Sequence, residues 1–217
     1  LKASGINAKA LPVADLRTIQ LARSHASGKE CVPSHLVLGG TLKFLASPEY
    51  KREDIYLLFV PETTGPCRTG QYAVFFDNLF RDLEIPNIVV FTLSSDHSYT
   101  ELGPDFSKNM WKAIAAADLL KDIHTSLRAC AENKTLALTR FDSLWENLIA
   151  EVERDINSLL PALKTLGQEL KEIPLGRPVT EAPKVLVVGE IYVRRDDFAV
   201  DELVELFSAK GIIGKVS

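Results

Sequence analysis

The sequence predicts an α/β protein with Rossmann-like parallel sheets, an intervening helical segment, and a second α/β unit that is truncated. Two continuously apolar runs, residues 55–60 and 87–93, are rich in β-branched and aromatic residues, as strands covered on both faces are. Residues 72–83 lie between them and place apolar side chains three or four apart, which predicts an amphipathic helix. A third apolar run at residues 184–188 also has the pattern of a buried strand and is followed by a helical pattern at 201–210. Strands that alternate with helices in this way indicate parallel βαβ units.

The N-terminal part is predicted to hold a short strand at residues 6–11 and a helix at 14–26 that Gly28 ends. A second helix is predicted from Pro33 to about residue 46. Proline suits the first turn of a helix because its missing N–H has no partner there. Cys31 therefore lies at the start of a helix.

The middle of the chain is predicted to form long helices at residues 106–133 and 140–166. We expect a break near Asn133 and a kink or restart at Pro161. Residues 174–183 hold three prolines and no apolar periodicity, which predicts a linker.

These patterns divide the chain into three predicted domains. They are an α/β domain at 1–105 that is incomplete at its N-terminus, a helical segment at 106–172, and a linker with the start of a second Rossmann-like domain at 173–217. The chain starts at Leu1 and stops where an α/β unit is closing, so we expect a fragment of a longer protein.

Composition excludes several classes of function. The chain has 217 residues, of which 46% are hydrophobic, enough for a sizeable core. A net charge of -4 without a basic cluster argues against nucleic-acid binding. No apolar run approaches the roughly 18 residues of a membrane span, and no signal peptide is recognisable. We expect a soluble, cytoplasmic protein.

The three cysteines carry the main functional hypothesis. Cys31, Cys67 and Cys130 are odd in number and widely spaced, unlike a disulfide framework, so reduced thiols are expected. Cys67 lies in the loop between the first predicted strand and its helix, where the positive end of the helix favours a thiolate. It can be a nucleophile or a metal ligand. Cys130 lies near the C-terminal end of a long helix, and a small buried apolar role stays open for each thiol.

A polar loop after the second predicted strand supplies weaker catalytic candidates. Histidine is the side chain most suited to proton transfer near neutral pH, and Glu101 follows His97 by four residues, so the pair can transfer protons. If the sheet is parallel, this loop opens on the same edge as Cys67. An ordinary solvated loop is the alternative.

Two segments and a third cysteine resemble one known family. Residues 29–33 read Lys-Glu-Cys-Val-Pro and residues 65–72 read Gly-Pro-Cys-Arg-Thr-Gly-Gln-Tyr. They resemble the 2-hydroxyacyl-CoA dehydratase and benzoyl-CoA reductase family, and more narrowly the large CoA-substrate-specific enzyme activases. In those proteins a dehydratase-like part is fused to an ATP-hydrolysing activator. Residues 187–194 also resemble the start of the family's second α/β domain.

The resemblance implies a cofactor and its ligands. In that family three cysteines of one polypeptide hold a [4Fe-4S] cluster, or half of a double-cubane cluster, with one iron open to another ligand. Carried over to this chain, the ligands are Cys31, Cys67 and Cys130. The residues best placed by sequence to tune the cluster from its surroundings are Arg68, Thr69 and Gln71, for which helix capping is the alternative.

The resemblance also implies a function. We expect the iron–sulfur-bearing part of an ATP-dependent reductase or dehydratase system that transfers single electrons, acting on an acyl-CoA-type substrate. The chain shows no nucleotide-binding motif, so ATP would act through a separate activator domain or subunit, and the fragment alone would be inactive. A homo- or hetero-dimer is possible. The alternative is a non-catalytic α/β docking module without metal.

Overall fold

The computed structural model describes residues 1–216 as a mixed α/β protein. The chain divides into two compact units. One comprises Ala10–Ser107, and the other comprises Leu1–Lys9 together with Lys108–Ser217.

The unit Ala10–Ser107 contains a parallel pair of strands with helices before and between them. Its elements are α1 (Leu16–Arg23), α2 (Val32–Leu45), β1 (Tyr56–Glu62), α3 (Tyr72–Asp82) and β2 (Ile88–Ser94). Tyr56 lies opposite Ile88 and Glu62 opposite Ser94, so the two strands run in parallel as predicted. Both predicted strands and the helix between them are confirmed within two residues. The expectation that both faces of these strands are covered is wrong, since Leu57 on β1 and Val89 on β2 are 63% and 48% exposed.

One face of α3 forms the core of this unit. Tyr72, Phe76 and Phe80 recur four residues apart and are all buried, with Phe76 completely inaccessible. They pack against Leu38 of α2 and Val60 of β1. Burying each such side chain contributes about 1.5–3 kcal/mol. This packing holds the N-terminal end of α3 in a defined place.

Helices α1 and α2 pack closely through a small residue. A Cβ on Gly39 would lie 2.0 Å from the backbone oxygen of Thr18, so only glycine permits this approach. Asp15 caps α1 by accepting from the Thr18 backbone N–H at 2.8 Å. The Lys43 ammonium, 2.8 Å away on α2, and the Thr18 N–H lower the pKa of Asp15 to about 2.

The predicted strand at residues 6–11 is wrong. These residues have no regular secondary structure in the described part of the chain. Leu11 instead lies against Gly40 of α2, within 3.3 Å of where a Cβ would be. A short run of this kind forms a strand only when it pairs with another strand. Here Leu11 of the run packs against a helix instead.

The second unit is mainly helical. It contains α4 (Pro104–Cys130, from its second turn onward), α5 (Lys134–Arg154) and α6 (Leu159–Leu170). The predicted break at Asn133 is confirmed, because its side chain caps α5 by accepting from the Leu136 N–H. The predicted helix 140–166 is two helices. Extended backbone at Asp155 separates them, and Pro161 lies in the first turn of α6, where proline is tolerated.

Residues 174–183 are anchored rather than freely linking. The Glu132 N–H donates to the Pro174 carbonyl at 3.1 Å, and the Gly176 N–H donates to the Cys130 carbonyl at 2.9 Å. Ala182 is buried. The segment therefore satisfies backbone groups at the end of α4.

A strand–helix–strand segment follows. It consists of β3 (Lys184–Val187), α7 (Asp197–Ser208) and β4 (Ile213–Val216), with β3 and β4 parallel. The expectation that β3 is buried is wrong, since Leu186 is 57% exposed and no layer covers that face among the described residues. Acidic residues four apart join α7 to its neighbours: Asp197 pairs with Lys121, Asp201 with Arg128, and Glu205 with Lys134.

Among the residues described, no helix is both long enough and apolar enough to cross a membrane.

Candidate functional site

The carboxyl ends of β1 and β2 bring two polar loops together. Glu62 and Ser94 are opposite each other in the last register pair of the sheet. Beyond them, the Thr64 N–H donates to the Ser95 hydroxyl at 3.3 Å, and the Thr64 hydroxyl donates to the Asp96 carboxylate at 2.8 Å. The predicted meeting of these two loops at one edge is therefore confirmed.

Cys67 lies at the start of a 3₁₀ turn, Arg68–Gln71, which leads directly into α3. Its backbone is extended, its side chain is exposed, and its Sγ lies 3.1 Å from the Thr69 hydroxyl. The turn lies tightly against the end of β1, because a Cβ on Gly70 would be 2.3 Å from the Thr63 carbonyl oxygen. Glycine at this position thus determines where Cys67 lies.

Cys31 is the N-cap residue of α2 and is half-buried. Its Sγ lies 2.6 Å from the Tyr72 hydroxyl on α3. The two cysteine loops are also joined directly, because the Arg68 guanidinium donates to the Lys29 carbonyl at 2.5 Å. Both thiols therefore belong to one connected structure at the starts of α2 and α3.

The Glu30 carboxylate shapes the loop before Cys31. It accepts hydrogen bonds from the Ser27 hydroxyl and from the backbone N–H groups of Ser27, Gly28 and Lys29. These bonds, with the Ser27 N–H the largest influence, lower the pKa of Glu30 to about 2. A carboxylate held this way stays ionised and keeps the loop closed.

Tyr72 links the two thiols, and sequence reasoning missed it. It is 7% exposed, and its ring packs 5.8 Å from that of Phe76. Burial raises the pKa of its phenol, and the hydrogen bond and charge of Cys31 raise it further. Thr69 hydrogen-bonds the same phenol and acts in the opposite direction, as a donor does. Hydroxyl groups thus connect the Cys31 sulfur to the Cys67 sulfur.

The sequence held one indication of this role. Tyr72 lies four residues before Phe76 and eight before Phe80, so it extends their stripe to the start of the helix. It is also the only hydroxyl-bearing member of that stripe, at the end nearest Cys67. A buried tyrosine hydroxyl needs a hydrogen-bond partner, and the loop chemistry around it supplies one.

Cys130 belongs to the other unit. It is 2% exposed and packs in an apolar cluster with Ala182 and Ile213. Within residues 1–216, no group of three His, Cys, Asp or Glu side chains is arranged to hold a metal ion. The structure connects Cys31 with Cys67 and places Cys130 apart from them, and the assignment of all three as metal ligands stays a prediction.

The remaining predicted residues differ in what they contact. Gln71 is exposed and precedes α3 without a side-chain capping bond. His97 Nδ1 lies 3.3 Å from the Glu101 carboxylate, which also accepts from the Ser94 N–H at 2.8 Å. The Ser94 N–H is the largest influence that lowers the pKa of Glu101. Glu101 therefore closes the loop that carries His97, and proton transfer by this pair stays a prediction.

A cavity of about 440 Å³ lies beside the Cys31 loop. Glu30 and Val32, on either side of Cys31 in sequence, both line it, together with Arg23 and His35. The Nε2 atom of His35 is buried without a hydrogen-bond partner among the described atoms. This volume falls within the range of small-molecule sites.

Comparison of the chain with protein-family models, with curated proteins and with solved structures finds no match.

Proposed function

We propose that this chain is the iron–sulfur-bearing part of an ATP-dependent reductase or dehydratase system that works by one-electron transfer on an acyl-CoA-type substrate. The proposal includes membership of the 2-hydroxyacyl-CoA dehydratase and benzoyl-CoA reductase family, in its large activase branch. It also includes a Rossmann-like fold for both α/β units, each of which has a two-stranded parallel sheet in the structure described above.

The observation that carries the proposal is the connection between Cys31 and Cys67. Two thiols lie at the starts of two helices, share a tyrosine and threonine hydroxyl chain, and are joined by Arg68. Thiolates are the preferred ligands of iron–sulfur clusters, so this donor set fits the proposed group in its chemistry.

Cys130 would complete the proposed set of three thiolates. Its sulfur lies in a closed apolar cluster of the other unit, so geometry supports this ligand least. The ligand variants described below test it separately.

The surrounding residues have defined tasks in this proposal. When bound, the cluster would supply single electrons at low potential, with ATP hydrolysed by a separate activator domain or subunit. Tyr72 and Thr69 hold the thiols, and Arg68 keeps the two loops together. The His97–Glu101 pair would hold a proton at the same edge of the sheet.

The test is the iron and acid-labile sulfide content of the full chain after anaerobic reconstitution. About four of each per chain, with the absorption of a cubane, are expected. Cys31→Ser and Cys67→Ser should each abolish this content, and Cys130→Ser should do so only if all three thiols are ligands. Folded protein that takes up no iron would refute the proposal.

A metal-free docking module is the second candidate, and the outer face of the β1–β2 sheet favours it. Leu57 is 63% exposed and Val89, its partner in the register, is 48% exposed. Phe59 and Phe91 continue this apolar face, with ring centroids 6.2 Å apart. Parallel sheets normally have both faces covered. A docking module would bind no iron, and Leu57→Lys would weaken its association with a partner without altering its circular dichroism.

A further inference from the structure

We infer that Tyr72 is a positioning residue for the Cys31 thiol, whose sulfur it holds through its hydroxyl for metal binding, and that Thr69 keeps this hydroxyl in place next to Cys67. The inference deepens the proposed iron–sulfur function and rests on it. It assigns a role to a residue outside the predicted ligand set.

The first step of the argument is the rigidity of Tyr72. It occupies the first position of α3, is 7% exposed, and packs against the fully buried Phe76. A side chain held by core packing keeps its polar end in one place. The hydroxyl is therefore a fixed point at the otherwise exposed end of the helix.

The second step is the direction of the hydrogen bonds. The Tyr72 oxygen lies 2.6 Å from Cys31 Sγ, and the Thr69 hydroxyl hydrogen-bonds the same oxygen. A metal-bound Cys31 sulfur carries no proton, so the tyrosine hydroxyl is the donor to it in that state. The Thr69 oxygen lies 3.1 Å from Cys67 Sγ. Tyr72 therefore serves the Cys31 sulfur, and Thr69 lies between the tyrosine hydroxyl and the other loop.

The third step is the consequence for a bound metal. Groups that hydrogen-bond a ligand orient it and alter the electron density it supplies. A hydroxyl donor to a thiolate withdraws charge from the sulfur, which favours the reduced metal centre and raises its potential. Removing the hydroxyl should weaken metal binding and shift the potential downward.

The experiment compares the wild-type chain with Tyr72→Phe and with a matched control, Tyr50→Phe. Tyr50 is in the same unit, and its hydroxyl donates to the Asn87 side chain at 2.7 Å, so the control also loses one hydroxyl and one hydrogen bond. Co²⁺ alone serves as a probe, because thiolate-to-cobalt absorption reports binding by cysteine. The midpoint potential of the anaerobically reconstituted chain is the second readout.

Tyr72→Phe should weaken Co²⁺ binding by about 10–100-fold, as loss of a ligand's hydrogen-bond partner does. It should also move the midpoint potential to a more negative value, while Tyr50→Phe leaves both unchanged. Equal Co²⁺ affinity in Tyr72→Phe and wild type would overturn the inference. The proposed function is tested separately, by the iron content of the wild-type chain. A wild-type chain that fails to take up iron, yet shows the Co²⁺ difference, would refute the proposed function and leave the positioning role standing.

A second variant covers the case in which Tyr72→Phe does not fold. Thr69→Val keeps the size of a half-buried side chain and removes the hydroxyl between Tyr72 and Cys67. It should weaken Co²⁺ binding in the same direction. Unchanged affinity in folded Thr69→Val protein would overturn the inference on its own.

Discussion

Replacing Gly70 by alanine should displace the turn that carries Cys67. A Cβ at this position would lie 2.3 Å from the Thr63 carbonyl oxygen, inside the 3.0 Å below which Cβ atoms are essentially never found. The obstacle is backbone at the end of β1, so it cannot rotate away. Either the turn moves outward or the end of the strand distorts.

The expected magnitude follows from two opposing effects. Overpacking against fixed backbone costs about 1–3 kcal/mol. Alanine also restricts the unfolded chain, which returns about 0.4–1 kcal/mol. The net loss in the free energy of unfolding should therefore lie between about 0 and 2.6 kcal/mol, with a midpoint of about 1.3 kcal/mol.

Gly65→Ala is the matched control in the same loop. Its Cβ would lie 3.6 Å from a flexible Thr63 side-chain oxygen, an ordinary contact, so the control should be neutral or slightly stabilising. Urea denaturation followed by far-ultraviolet circular dichroism measures both variants. Hydrogen exchange of the β1 amides locates the change. Both tryptophans, Trp111 and Trp145, lie outside Ala10–Ser107, so native tryptophan fluorescence should be the same in both variants.

If Gly70→Ala is as stable as Gly65→Ala, and the β1 amides exchange equally slowly in both variants, the close approach of Gly70 to Thr63 is absent in solution. The reasoning that places Cys67 through this turn would then fail. Loss of iron or Co²⁺ binding by Gly70→Ala alone would support it.

Three further predictions concern the unit that carries Cys31 and Cys67. In Gly39→Ala the new Cβ lies 2.0 Å from the Thr18 backbone oxygen, so the free energy of unfolding should fall by about 1–3 kcal/mol. In the control, Gly40→Ala, the Cβ meets only a leucine side chain, so the loss should be smaller. Equal urea midpoints for the two variants would contradict this prediction. Phe76→Ala removes a completely buried ring and should lower the free energy of unfolding by about 3–5 kcal/mol in the same denaturation experiment. A decrease of less than about 1 kcal/mol would mean that the ring is not in the core. The Asp15 carboxylate has its pKa lowered from 3.8 to about 2, chiefly by Lys43, so its contribution is complete above pH 3.8 and is lost as the pH falls toward 2. Lys43→Met should flatten the decline of the melting temperature over that interval, and an unchanged slope would show that the pair does not form.

Several elements could be predicted because their determinants are local. β1, α3 and β2 follow from runs of apolar residues with periods typical of strands and helices. The end of α4 and the start of α5 follow from Asn133, whose side chain satisfies a backbone N–H close to it in the chain. Local periodicity and capping act within a few residues, so they can be read directly from the sequence.

Other elements failed because a distant partner decides them. Residues 6–11 have an apolar pattern but no strand to pair with, and Leu11 packs on α2 instead. The proline-rich residues 174–183 look like a linker, yet they satisfy backbone groups at the end of α4. Composition describes a segment's own preferences and cannot identify what it contacts.

The sequence by itself determined that Cys67 lies in the loop between a strand and its helix, since local pattern suffices for this. Only the tertiary structure decided that Cys31 lies beside the Tyr72 hydroxyl, that Thr69 connects this hydroxyl with Cys67, and that Cys130 is buried in another unit. A hydrogen bond requires its two atoms to lie about 3 Å apart. The bond between Cys31 and Tyr72 joins groups that are far apart in the chain. That distance arises from how α2, β1 and α3 pack around Phe76, and no spacing along the chain specifies it.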